Sequence, residues 1–202
     1  MKKAPRVFVC ASAIGYYGDR GSETLTEESG PGLGFLAEVC KGWEEATAAA
    51  SAKGVRTVKM RIGVVLSKKG GALSKMLPPF VMGAGGVLGS GRQYMSWISL
   101  DDLVEAIYFA IKNDSVSGPV NAVTPNPVTN AEFTRSLGKA LGRPTIFPVP
   151  AFGAKLLFGE MAQEMLLSGA RILPSKLESA GFKYHYPGID GALQHALHES
   201  AN

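Results

Sequence analysis

The chain has 202 residues, 46% apolar and 19% charged: enough for one domain with a real core, or a domain plus a small lobe, and too apolar for disorder. Its net charge of +4 comes from 21 Lys+Arg against 17 Asp+Glu, with no basic repeat interleaved with aromatics, so nucleic-acid binding is not indicated. No apolar run approaches a membrane span, and the start, MKKAPRVFVCAS, has too short an apolar run for a signal peptide; a soluble protein of a reducing, cytoplasmic compartment is expected, with Cys10 and Cys40 as buried free thiols.

In chain order, residues 6–11 read as a buried strand and 19–32 as a loop. Apolar groups at helical spacing predict a helix over 34–53, stopped by Gly54. Residues 55–66, VRTVKMRIGVVL, read as a strand running into a turn. A helix over 72–82 is interrupted by Pro78-Pro79 and followed by a glycine-rich loop. YMSWI (94–98) is a short strand, and Ser99 to Asn113 is a helix with acidic residues in its first turn. VNAVT (120–124) is a strand. Residues 129–141 form a helix whose Thr129-Asn130-Ala131-Glu132 has capping-box spacing. A strand at 145–149 and helices at 151–158 and 160–168 follow. The tail carries a strand near 170–173, a helix at 175–180, an irregular stretch and a helix at 189–198. This alternation predicts an α/β fold with a mostly parallel sheet.

In such sheets ligands sit beyond the carboxyl ends of the strands. Three ends stand out. Ser12 with Tyr16 and Tyr17 offers a hydroxyl donor and a general acid, or a turn with packed aromatics. Arg61-Ile62-Gly63-Val64 offers a cation for phosphate or carboxylate, or a surface ion pair. Residues 83–102 offer Arg92 and Trp97 beside flexible glycines, or a mobile loop. Residues 61–100 contain five basic residues (Arg61, Lys68, Lys69, Lys75, Arg92) and no Asp or Glu, which suits an anionic ligand. His185, His195 and His198 lack metal-like partners, and 195/198 read as a solvated helix face. No metal site is expected, and there is no P-loop, HExxH or GxSxG.

Taken together, ASAIGYYGD, MRIGVVLSKKGGAL, WISLDDLVEAI and VNAVTPNPVTNAEFTRSLGKALGRP resemble the extended short-chain dehydrogenase/reductase superfamily. FLAEVCKGWEEA, GGALSKMLPPF, GGVLGSGRQYMSWI and the tail from Gly142 resemble its atypical, epimerase-like subfamily (NAD-dependent epimerase/dehydratase-like). The resemblance implies the C-terminal half of a Rossmann-like sheet with a small, mostly helical substrate lobe. Residues 1–141 would be a partial NAD(P)-binding domain that lends segment 67–100 to the lobe, and 142–202 would complete it. It further implies an NADP(H)-dependent oxidoreductase or epimerase for a small anionic substrate, with or without a nucleotide. Ser12, Tyr17 and Lys41 would be catalytic. Ala13, Lys41, Arg61, Ile62, Gly63 and Val64 would meet the cofactor, and Arg92 with Trp97 the substrate.

Two departures qualify these expectations. The superfamily opens on a strand, a Gly-x-x-Gly-x-x-Gly loop and a helix N-terminus for the cofactor pyrophosphate. This chain has no such element and starts on what resembles the fourth strand. About three βα units, roughly a hundred residues, would be missing, from truncation or a misplaced gene start. The chain alone is then expected to be inactive, to bind NADP(H) weakly and to self-associate through an exposed sheet edge. Second, the superfamily's Tyr-x-x-x-Lys proton donor is missing: Lys41 is preceded four residues earlier by Ala37. Tyr16, Tyr17, Glu44 or Glu45 could substitute, and the spacing leaves Ser12 and Ala13 open as the active-site position. The competing reading is a non-catalytic binding or regulatory protein on a degenerate dehydrogenase fold.

Overall fold

The computed structural model describes residues 4–145 and 169–198. The strand expected at 145–149, Thr145 apart, and the helices at 151–158 and 160–168 lie outside the described residues. In chain order the elements are β1 (Val7–Ala13), a 3-10 turn (Ile14–Tyr17), β2 (Thr24–Leu25), α1 (Phe35–Glu45), α2 (Ala48–Ser51), β3 (Arg56–Ile62), β4 (Val64–Leu66), α3 (Gly71–Val81), β5 (Tyr94–Met95), β6 (Trp97–Ser99), α4 (Leu100–Lys112), β7 (Gly118–Ala122), β8 (Val128–Thr129), α5 (Asn130–Leu141), β9 (Arg171–Ile172), α6 (Ser175–Ser179) and α7 (Ile189–His198).

The fold is α/β. The main sheet is parallel, in the order β1-β3-β7. Parallel neighbours need crossovers, and the helices supply them. Side chains alternate across a strand, so each residue of β3 is committed to one face. Val58 and Met60 lie in a core with Leu103, Ala106 and Ala110 of α4 and with Val120, Leu177 and Phe182. The next residue, Arg61, turns to the opposite face, toward Glu44 of α1. Helices therefore cover both sides of the sheet. A second core joins Leu73, Met76 and Phe80 of α3 to Trp97, to Phe133 and Leu137 of α5, and to Ala192, Leu193 and Ala196 of α7. This second core includes α5, which lies outside the segments expected for the lobe, while Leu177 and Phe182 of the 142–202 segment pack in the first core. Among the described residues no helix is long and apolar enough to cross a membrane.

Local chemistry sets the boundaries. The helix expected over 34–53 divides at Ala46-Thr47, where the Thr47 hydroxyl donates back to Glu44 O at 2.7 Å. The strand expected over 55–66 breaks at Gly63. Its N–H goes to Ala122 O, while the next N–H, of Val64, goes to Ser96 O. The chain changes neighbours there, from β7 to β6. A Cβ at Gly63 would lie 2.7 Å from Ser96 O, so only glycine allows the crossing. Helix α3 runs through Pro78 and Pro79 without interruption. Their missing N–H groups cost the helix two i→i−4 bonds, to the Ser74 and Lys75 carbonyls, and Leu73, Met76 and Phe80 hold the helix in the core. The capping box of α5 forms as the spacing predicted: Thr129 and Glu132 satisfy each other's backbone N–H. His195 is not a solvated face residue. It lies 2.6 Å from Asp101 and stacks on Tyr186 at 4.2 Å, pinning α7 to the start of α4.

Candidate functional site

Strand register places Ser12 beside Arg61, and Arg61 beside Asn121. Their side chains share a row across the three strands, and they meet one another through Glu44 and Tyr17. Ser12 Oγ donates to Glu44 Oε1 at 3.0 Å. Arg61 Nε and Nη2 hold the two Glu44 oxygens at 2.7 and 2.9 Å, a bidentate pair. Arg61 Nη1 donates to the Tyr17 hydroxyl at 2.8 Å, and that hydroxyl faces Asn121 Oδ1 at 2.7 Å. Arg61 also lies 3.5 Å over the Tyr16 ring. Burial alone would lower the Arg61 pKa; the Glu44 carboxylate and the Tyr17 hydroxyl outweigh it and hold the guanidinium firmly charged. Burial pushes the Tyr17 hydroxyl up, against the pull of Arg61, so it holds its proton.

Beyond the carboxyl ends of β1 and β3 lies a cleft of about 520 Å³. Ala13 and Ile62-Gly63-Val64 form its floor. Leu36, Val39, Cys40 and Trp43 of α1 form one wall, and Tyr94 to Ser96 with Gly169 and Ala170 form the other. Helix α1 approaches the turn after β1 closely because residue 15 is glycine: a Cβ there would meet the Leu36 Cβ at 3.2 Å. Burial raises the Cys40 thiol pKa, which keeps it a thiol. Among the described residues no group of three or more His, Cys, Asp or Glu is gathered as a metal site would require.

The expected site residues divide sharply. Ala13, Ile62, Gly63 and Val64 line the cleft. Ser12, Tyr17 and Arg61 are buried in the hydrogen-bonded row beneath it. Strand alternation turns Ser12 toward Glu44, and Ala13 takes the position at the cleft. Tyr17 is enclosed by Arg61, Asn121 and Leu25. Lys41 is exposed on α1, one step past Cys40, off the helical row 36, 40, 43 that faces the cleft. Glu44, weighed as a proton donor, is tied to Arg61. Trp97 is fully buried in the lobe core. Arg92 is exposed, its guanidinium meets no acceptor among the described residues, and it does not line the cleft. Reading the sequence missed Leu36, Val39, Trp43 and Tyr94 as lining residues. The heptad-like row on α1 was the available signal, but it reads equally as core.

Against known proteins, the model of the NAD dependent epimerase/dehydratase family matches residues 1–122. The chain belongs to that family. A domain of unknown function, DUF1731, matches residues 149–196. An epimerase family protein of Mycobacterium bovis is 52% identical over 186 residues, which is 92% of this chain and 62% of that protein. A chloroplastic homologue from Arabidopsis thaliana is 47% identical over 94% of this chain and 54% of its own length. The structure of human epimerase family protein SDR39U1 with NADPH superposes with a TM-score of 0.88 at 34% identity, over 96% of this chain and 66% of that one. The Thermus thermophilus UDP-glucose 4-epimerase with NAD, at 19% identity and a TM-score of 0.71, shares the fold. The chain spans less than two thirds of the first two relatives' length.

Family members would place cofactor phosphates on a glycine loop that opens a helix. Gly15, Gly18 and Gly21 repeat that spacing here, but they follow β1 into a 3-10 turn, and the next element is β2. No helix N-terminus follows these glycines before β2.

Proposed function

We propose that this chain is the nicotinamide-side half-site of an NADP(H)-dependent member of the family, and that its chemistry does not include the proton shuttling of an epimerase. A bound cofactor would supply or accept hydride. Ala13 and Ile62 to Val64 would support its nicotinamide end, with Gly63 leaving room at the strand crossing. The NADPH of the human relative supports this reading. The observation that carries it is the wall of α1. Leu36, Ala37 and Cys40 occupy the face where the superfamily's tyrosine and lysine would stand, while Glu44 and Tyr17 are tied into the buried row and Asp19 accepts from backbone N–H groups. A proton leaving or entering a ligand here passes through water or the Tyr94 hydroxyl.

The test is a pair of incubations of the chain, and of the longer Mycobacterium bovis relative, with UDP-glucose and NAD(P)⁺, followed by NMR. No epimer should form in either. Epimer formation by either protein would sink the proposal. A second reading, a non-catalytic binding protein, is favoured by the same lack of a side-chain acid. Incubation with 4-deuterated NADPH and carbonyl compounds separates the two, since only the redox reading transfers the label.

A further inference from the structure

Resting on the reading that the nicotinamide end lies on the Ala13 and Ile62–Val64 floor, we propose that the second ligand of the cleft is neutral and predominantly apolar, and not a sugar nucleotide. The cleft is of small-molecule size, and its polar side chains are already in use. Asp19 Oδ1 accepts from Gly21 N and Gly169 N, both at 3.2 Å. Ser96 Oγ donates to Ala170 O at 2.8 Å and accepts from Ile172 N at 3.0 Å. Cys40 is a protonated thiol. The Tyr94 hydroxyl and the Trp43 indole N–H are left as lining hydrogen-bonding groups with no hydrogen-bond partner among the described residues.

The nearest strong cation beneath the floor, Arg61, is neutralised by Glu44 and screened from the cleft by its own burial. Arg92 stands outside the lining. A phosphate or carboxylate entering the cleft would lose water and meet no cationic side chain among the described lining residues, since Arg171, 5.5 Å from the Tyr94 ring, also stands outside the lining; this favours exclusion over binding. The apolar surface is instead presented openly. Leu33 at the rim is 92% exposed and Trp43 on the wall 53% exposed, values that a ligand with an apolar body would reduce. The ligand class is therefore an apolar body carrying one neutral polar group, of a size to share the cleft with a nicotinamide ring.

Trp43 also reports on the site, because Trp97, the second of two tryptophans, is sealed in the lobe core. The chain would be titrated with N-phenyl-1-naphthylamine, a neutral apolar probe, and separately with UDP-glucose, following tryptophan emission and heat. The probe should bind with micromolar affinity and UDP-glucose at least a hundredfold more weakly. Trp43→Asp, at a half-exposed position that tolerates charge, should cost tenfold or more in probe affinity with an unchanged melting curve. Tyr108→Asp removes an equally exposed aromatic on α4, outside the cleft, and should cost nothing. Displacement of the probe by UDP-glucose, or an equal loss in both variants, would overturn the proposal. NADPH binding is measured in parallel on the longer relative. Its failure with the probe result intact would remove the cofactor reading and leave this one standing.

Discussion

At the residue scale, the decisive feature is the row Ser12, Arg61, Asn121 with Glu44 and Tyr17. A buried ion pair is weak evidence of net stability, but removing one partner strands the other charge. Glu44→Ala should therefore destabilise the chain by about 3–5 kcal/mol in urea titrations, whereas the double change Glu44→Leu with Arg61→Met should recover most of that loss. If Glu44→Ala melts like the parent, the pair is not as dry as described. The buried tyrosines set an alkaline limit. An unfolded tyrosine releases its proton near pH 10, while burial raises both Tyr17 and Tyr184 above that value in the folded chain. Above pH 10 the unfolded state binds fewer protons, so stability is complete below that pH and falls as pH rises through the folded values. Urea midpoints from pH 8 upward should fall beyond pH 10; a rising midpoint would contradict the assignment. Arg92→Ala should leave ligand affinity unchanged in the titrations above.

At the element scale, Gly63 is where geometry is least forgiving. The backbone oxygen of Ser96 would crowd a methyl group, so Gly63→Ala should cost about 1–3 kcal/mol. Thr129→Ala should cost about 1 kcal/mol through the lost cap of α5. Thermal unfolding of both variants checks the order. The elements themselves were legible where periodicity was long and caps were local: α4, α5 and α7 follow their expected bounds within one or two residues. The site was less legible, because its logic is non-local. The absence of acidic residues from 61 to 100 suggested a ligand for Arg61, yet its partner Glu44 comes from an earlier helix. A strand-end Ser next to an Ala cannot disclose which one faces the cleft until the register is known. Trp97 read as a flat binding face, but its strand turns it into the lobe core.

At the scale of the whole molecule, the chain should hold NADP(H) no more tightly than about millimolar, roughly 4 kcal/mol, because no described helix N-terminus receives the pyrophosphate. Calorimetry showing micromolar binding would refute this. Strand β1 lies at the rim of the sheet, its outer edge unpaired among the described residues and Phe8 39% exposed beside it. Such edges recruit further strands, so sedimentation should show concentration-dependent association; a strict monomer would be the contrary result. The buried row has a consequence for how this molecule opens. It fastens five separate elements, and Asn121 Nδ2 extends it to Leu173 O, beyond β9. No one of them can leave without stranding a charge or a donor in the others. Amide hydrogens of β1, β3, β7 and Ile172 should consequently exchange with deuterium at a common free energy, as one cooperative unit, while those of α2 and the loop at 83–91 exchange far earlier.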